Sequence, residues 1–256
     1  MNGFAPLLRL RGLEIVRTWR SWALPAVMIL LAAGGAVTAR FTNEILSAVL
    51  AGEDFAVVLP EPTAADATAQ WIKSFTQIVV LVVAVIAATT INTEVRSGAA
   101  AILLVKPASR SAYVLTHALA QFLLVAFSAL SAAIVCWITT TLLFGAADLG
   151  PMLGATTVAL VLAAVVISAS LLASATINSV AGAAGIGIGS FFALATMGII
   201  PPLAEYTPAG LLQVAGALAV GTQGNDHTLW WPIGTGVALT AALLAIAVAA
   251  FRRREI

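Results

Sequence analysis

The sequence predicts an all-α integral membrane protein with six transmembrane helices, organised as a single transmembrane domain over residues 1–256. Three observations predict it. Hydrophobic residues make up 61% of the chain, charged residues only 9%, and the mean hydropathy is +1.05. The apolar residues fall in six long runs, at about 22–39, 71–92, 113–144, 151–175, 179–200 and 231–251. Each approaches or exceeds the ~20 residues that a helix needs to cross a ~30 Å hydrocarbon core. The runs are also continuous rather than alternating, which suits helices and not the strands of a membrane barrel.

Charge placement orients the six spans. Arg9, Arg11, Arg17, Arg20, Arg96, Lys106, Arg110, Arg252, Arg253 and Arg254 fall on one side of the membrane, and only Arg40 and Lys73 on the other. The second side collects the acids Glu44, Glu53, Asp54, Glu61, Asp66, Asp148, Glu205 and Asp226. Lysine and arginine favour the cytoplasm, so both termini are expected there, in a multi-pass plasma (bacterial inner) membrane protein. Trp19, Trp22, Trp71, Trp230 and Trp231 lie at span starts, where indoles prefer the headgroup level.

Residues 3–20 are expected to form an interfacial helix. At 100° per residue Phe4, Leu8, Ile15, Trp19 and Trp22 share one stripe, with Arg9, Arg17 and Arg20 roughly opposite and Arg11 near the apolar edge. A cleaved signal peptide is the weaker reading, because the basic region is long and cleavage would leave five spans. The first span carries small residues including Gly34 and Gly35. Residues 40–70 are expected to be an acidic external loop, with Pro60 and Pro62 breaking any helix. The third span is too long for a bilayer unless it tilts or emerges before Phe144. It holds the single cysteine, Cys136, which rules out an intramolecular disulfide. The fifth span has a ladder of small residues, Ala181, Gly182, Gly185, Gly187 and Gly189, in which Gly185 and Gly189 form a GxxxG pair. Such ladders serve packing within a chain or between subunits. Residues 201–230 form the other external segment. Its apolar middle is too short to span, and Thr207, Pro208 and Gly221 suit a helix cap, a first turn and a stop. A short external helix before the last span is expected.

Several chemistries lack their residues. No charged group or histidine sits near the middle of a predicted span, which argues against a proton relay. His117 and His227 are far apart, no HExxH pair offers a metal site, and neither lysine follows a glycine-rich phosphate loop. Gly187-Ile188-Gly189-Ser190 lacks the Asp that an intramembrane protease would need. No enzyme, cofactor, metal site or nucleic-acid partner is expected in this chain.

The most distinctive polar segment, 93–110, joins the second and third spans. It is expected to form a short helix ended by Lys106-Pro107, after which Ser109 caps the third span. On composition it reads as a topology loop. Its residue order, Glu94, Arg96, Gly98, Leu103, Leu104, Lys106, Pro107, Ser109 and Arg110, resembles the type 2 permeases of ATP-binding-cassette exporters. Ala99 and His117 stand where many members of that family carry Thr and Lys. The resemblance implies that these nine residues belong to a coupling helix that touches an ATPase. It implies two cytoplasmic ATPase subunits per complex, which hold ATP and Mg, and a second permease subunit, identical or similar. It also implies a substrate path near the dimer interface, using the second and fifth spans. Thr76, Gln77, Phe191, Phe192, Thr196 and Met197 are the candidates for that path, and Gly34, Gly35, Gly182, Gly185 and Gly189 for the interface. The alternative is a secondary transporter or channel without an ATPase, whose expected marks are inverted repeats or broken helices with polar groups at the midplane.

Overall fold

The computed structural model describes residues 4–49, 60–99, 109–222 and 226–253. Among them every regular element is helical. The elements are α1 (Phe4–Arg17), α2 (Arg20–Arg40), α3 (Thr42–Val49), α4 (Ala64–Arg96), α5 (Arg110–Phe144), α6 (Leu149–Thr176), α7 (Val180–Met197), α8 (Pro201–Tyr206), α9 (Leu211–Ala219) and α10 (Asp226–Arg253). Six are long and apolar enough to cross a membrane: α2, α4, α5, α6, α7 and α10. The six predicted spans are therefore the six observed ones.

The fourth span, α6, is the centre of the bundle. Its most apolar window is 83% buried, against 17% for α7 and 11% for α10. It packs on α4, α5, α7, α9 and α10. Small residues make this crowding feasible: Ala155, Ala159, Ala163, Ser170, Ser174 and Ala175 are all buried, and short side chains let neighbouring backbones come close. Gly187 of α7 is the extreme case, since a Cβ there would lie 2.1 Å from Ser170 Oγ. The rest of the bundle grows outward, with α2 against α5, and α4 against α7.

Two expectations are corrected. Residues 40–70 are not free of helix: α3 fills 42–49, and the second span begins at Ala64, seven residues before the predicted start. The reason is a cap. Thr63 lies just after Pro62, and its backbone N–H donates to the Asp66 carboxylate at 2.8 Å, so the chain leaves the proline directly into a helix. The second correction concerns the N-terminal helix. It ends at Arg17, and Trp19 and Trp22 are 74% and 76% exposed. Leu7 and Arg11 are its buried residues, turned onto α5.

α4 is continuous through a π-helical turn at Phe75–Val79, and α5 runs unbroken for 35 residues. At 1.5 Å per residue α5 is ~52 Å long, more than the ~40–45 Å of a whole bilayer. Trp137 near its far end donates to Ala147 O at 2.9 Å and fixes the turn that follows. After α7 the chain forms α8, a 3-10 turn at Pro208–Gly210 and α9. Thr207 Oγ1 accepts from Ala209 N, and Gly221 ends the segment at φ +73°, a left-handed conformation that favours glycine. The short helix expected before the last span is present.

Candidate functional site

The ends of α4 and α10 meet the starts of α1 and α5 at one end of the bundle, here termed the basic face. The second span closes with Arg96, and Gly98 then turns the chain at φ +75°, which a residue with a Cβ adopts only with strain. Ser109 Oγ accepts from Ala112 N at 3.1 Å and starts α5 as expected. Arg110 Nη1 donates to Arg252 O at 2.9 Å, tying the third span to the sixth.

Glu94 is the hub of this end. Arg11 grips its carboxylate with both terminal nitrogens, at 2.5 and 2.6 Å. Tyr113 donates its hydroxyl at 2.6 Å, and His117 Nε2 lies 3.4 Å away. The Arg11 side chain is only 5% exposed and that of Glu94 15%. The two-nitrogen grip is the strong geometry for an Arg–carboxylate pair. Burial disfavours the Arg11 charge, but hydrogen bonding and charge from Glu94, and from Glu14 at 2.6 Å on the same helix, outweigh it and hold its pKa above the usual value. Aromatic contacts extend the node. The Arg11 guanidinium lies 5.5 Å from the Tyr113 ring centre, His117 packs edge-on to Tyr113, and Phe251 of α10 stacks on Tyr113 at 5.1 Å. One carboxylate thus joins the N-terminal helix to the second and third spans, and through Tyr113 to the sixth.

The nine candidate coupling residues are distributed accordingly. Glu94 points into the node, Arg96 is exposed, Gly98 turns the chain and Ser109 caps a helix. Leu103, Leu104, Lys106 and Pro107 lie outside the described residues. Sequence reasoning missed Arg11, Tyr113 and His117 as partners. One signal was available: an arginine at the apolar edge of an amphipathic helix requires a compensating acid when buried.

The candidate substrate residues divide. Thr76 is buried, with its hydroxyl on Ile72 O at 2.8 Å, and Phe191 is buried in the core. Gln77, Phe192, Thr196 and Met197 face outward. Of the candidate interface glycines, Gly35 packs inside the chain, where a Cβ would lie 3.3 Å from Gln70 Cγ. Gly34, Gly182, Gly185 and Gly189 are exposed, and a Cβ at Gly34, Gly185 or Gly189 would meet nothing within 4 Å. The outward face of α7 therefore carries small residues along most of its length and larger side chains at its far end. Among the described residues no group of His, Cys, Asp and Glu is arranged to hold a metal ion.

A family model described as ABC-2 family transporter protein matches residues 13–256 of the chain. The chain belongs to that family, a class of transmembrane transport proteins of the ATP-binding-cassette type. Among curated proteins, none matches the chain.

Proposed function

We propose that the chain is the permease subunit of an ATP-driven exporter. It works as a dimer, either of two copies or with a similar partner, and the basic face and both termini lie in the cytoplasm. Two separate ATPase subunits bind beneath that face and carry the ATP and Mg. The membrane is the bacterial inner membrane.

The observation that carries this reading is the Glu94 node, set in a chain of this family. The segment between the second and third spans leaves the bundle beside Glu94 and returns at Ser109, four residues before Tyr113. A push on that segment reaches α1, α4 and α5 together, and α10 through the Tyr113–Phe251 stack. The carboxylate thus acts within the chain, and the exposed Arg96 is a side chain positioned to meet the ATPase. An ATPase shifts such an assembly only if it contacts the two permease states differently. The outward face of α7, with Gly185 and Gly189 free of neighbours, supports placing the second subunit and the substrate path there, beside Gln77, Phe192, Thr196 and Met197.

The test is purification of the tagged protein from its native host in mild detergent. We expect a stoichiometric P-loop ATPase to co-elute, its hydrolysis rate altered by the permease. Arg96→Glu is expected to leave insertion and folding intact while reducing that coupling at least tenfold. Protein that elutes alone, with no ATPase cross-linked in native membranes, would overturn the exporter assignment. Unchanged coupling in Arg96→Glu would remove Arg96 from the contact.

A further inference from the structure

A second feature of the basic face lies on the opposite side of α6 from the outward stripe of α7. α5, α6 and α10 leave a groove of about 520 Å³ between them, with Phe4 of α1 at its edge. That volume lies within the ~300–1,000 Å³ of ordinary ligand pockets. Its walls are apolar, including Leu115, Leu119, Phe122, Ile167 and Leu244. Two hydroxyls also line it, but both are already engaged by their own helices: Ser168 donates to Ala164 O and Thr240 to Gly236 O. The groove therefore makes no polar demand along its length.

Its end at the basic face is different. Ser109 and Ser111 line it there. Arg252 Nη2 donates to Ser111 Oγ at 3.3 Å, and Arg110 reaches the Arg252 carbonyl. A guanidinium carries five N–H donors, so Arg252 bonds Ser111 with one and keeps others for an oxyanion. The dimensions fit one leaflet. From Ser109 to Phe122 along α5 is ~20 Å at 1.5 Å per residue, and half of a ~40–45 Å bilayer is much the same.

We propose that this groove binds an anionic phospholipid of the leaflet at the basic face, with an acyl chain along α5, α6 and α10 and the phosphate at Arg252, Arg110 and Ser111. Charge complementarity selects the headgroup, because basic side chains at the membrane surface attract anionic lipid. The apolar length selects a lipid over a free phosphate. The site is separated by α6 from the face given above to cargo, and it touches the same third and sixth spans that Tyr113 and Phe251 bring together. Its occupant therefore braces the base of the bundle.

The experiment is native mass spectrometry of delipidated full-length protein with dioleoylphosphatidylglycerol or dioleoylphosphatidylcholine added at equal concentration. The wild type is expected to retain the phosphatidylglycerol preferentially, as a discrete one-lipid adduct per chain. Arg252→Gln should weaken that retention about fivefold, and Arg253→Gln, which removes the same charge one residue on, should not. Leu119→Trp, which fills the groove from a partly exposed position, should lose the adduct without lowering the Tm measured in the zwitterionic lipid. Equal retention of the two lipids, equal losses for the two arginine variants, or an undiminished adduct in a folded Leu119→Trp protein would each overturn the proposal.

Discussion

The pairing of Arg11 with Glu94 sets the energetics of the basic face. Removing Arg11 leaves Glu94 charged and largely out of water, and removing Glu94 leaves the buried Arg11 only the exposed Glu14 as a partner, so either loss costs more than the pair contributes as a whole. Glu94→Gln or Arg11→Met alone is expected to destabilise the protein by about 2–3 kcal/mol, below the ~3–5 kcal/mol of a fully enclosed pair because the carboxylate keeps a partly exposed edge. The double variant should lose less than the sum, and a double-mutant cycle on unfolding in detergent reads the difference. Strict additivity would mean that the two side chains do not interact in solution. Glu94 itself was legible as special from its position in the 93–110 segment. Its three partners were not, because Arg11 lies on the first helix and Tyr113 and His117 on the third span, and no local spacing links either stretch to residue 94. Ser109 was legible as a cap, since capping depends only on its own neighbours.

The helices were legible to different degrees for the same reason. Span positions follow from apolar runs, and all six appear where the runs lie. The early start of the second span was hidden by Pro60 and Pro62, although Thr63-x-x-Asp66 carries a capping signature that permits a helix immediately afterwards. Which side of α7 faces inward was not legible, because glycines occur all round it. The structure separates them, and two substitutions exploit the separation. Gly187→Leu drives a side chain into Ser170 and is expected to cost about 1–3 kcal/mol or more through overpacking. Gly185→Leu meets no neighbour within the chain, so its effect on subunit stability should stay within about 0.5 kcal/mol. If α7 is the dimer face, Gly185→Leu should instead shift the protein from dimer to monomer by mass measurement in detergent. A Gly185→Leu protein that remains fully dimeric would move the interface elsewhere.

At the scale of the whole molecule the central prediction is orientation. Ten of the twelve Lys and Arg residues belong to one face by sequence, and the structure gathers Arg11, Arg96, Arg110 and Arg252 at one end of the bundle. Cys136, the single cysteine of the chain, is fully buried, so the native protein gives little background with thiol reagents. A membrane-impermeant maleimide is expected to label Thr222→Cys in intact cells and Arg253→Cys only after the membrane is opened. The reverse pattern would invert the topology and remove the ATPase from the basic face. The orientation expectation rests on charge alone. The central place of α6 was not, because every span is apolar and only packing distinguishes a buried one from those that face lipid.

The Arg11–Glu94 bond also has a consequence for synthesis. Its partners are 83 residues apart in the chain, and at ~5–20 residues per second on the ribosome Arg11 waits roughly 4–17 s before Glu94 is made. Tyr113 follows later still. During that interval Arg11 has only Glu14, one turn along its own helix, as an acid partner. With both termini in the cytoplasm, as proposed, the first helix waits at the membrane surface on that side until the second span arrives. The Arg11–Glu94 bond forms only after the second span has brought its carboxylate to the same side as the first helix.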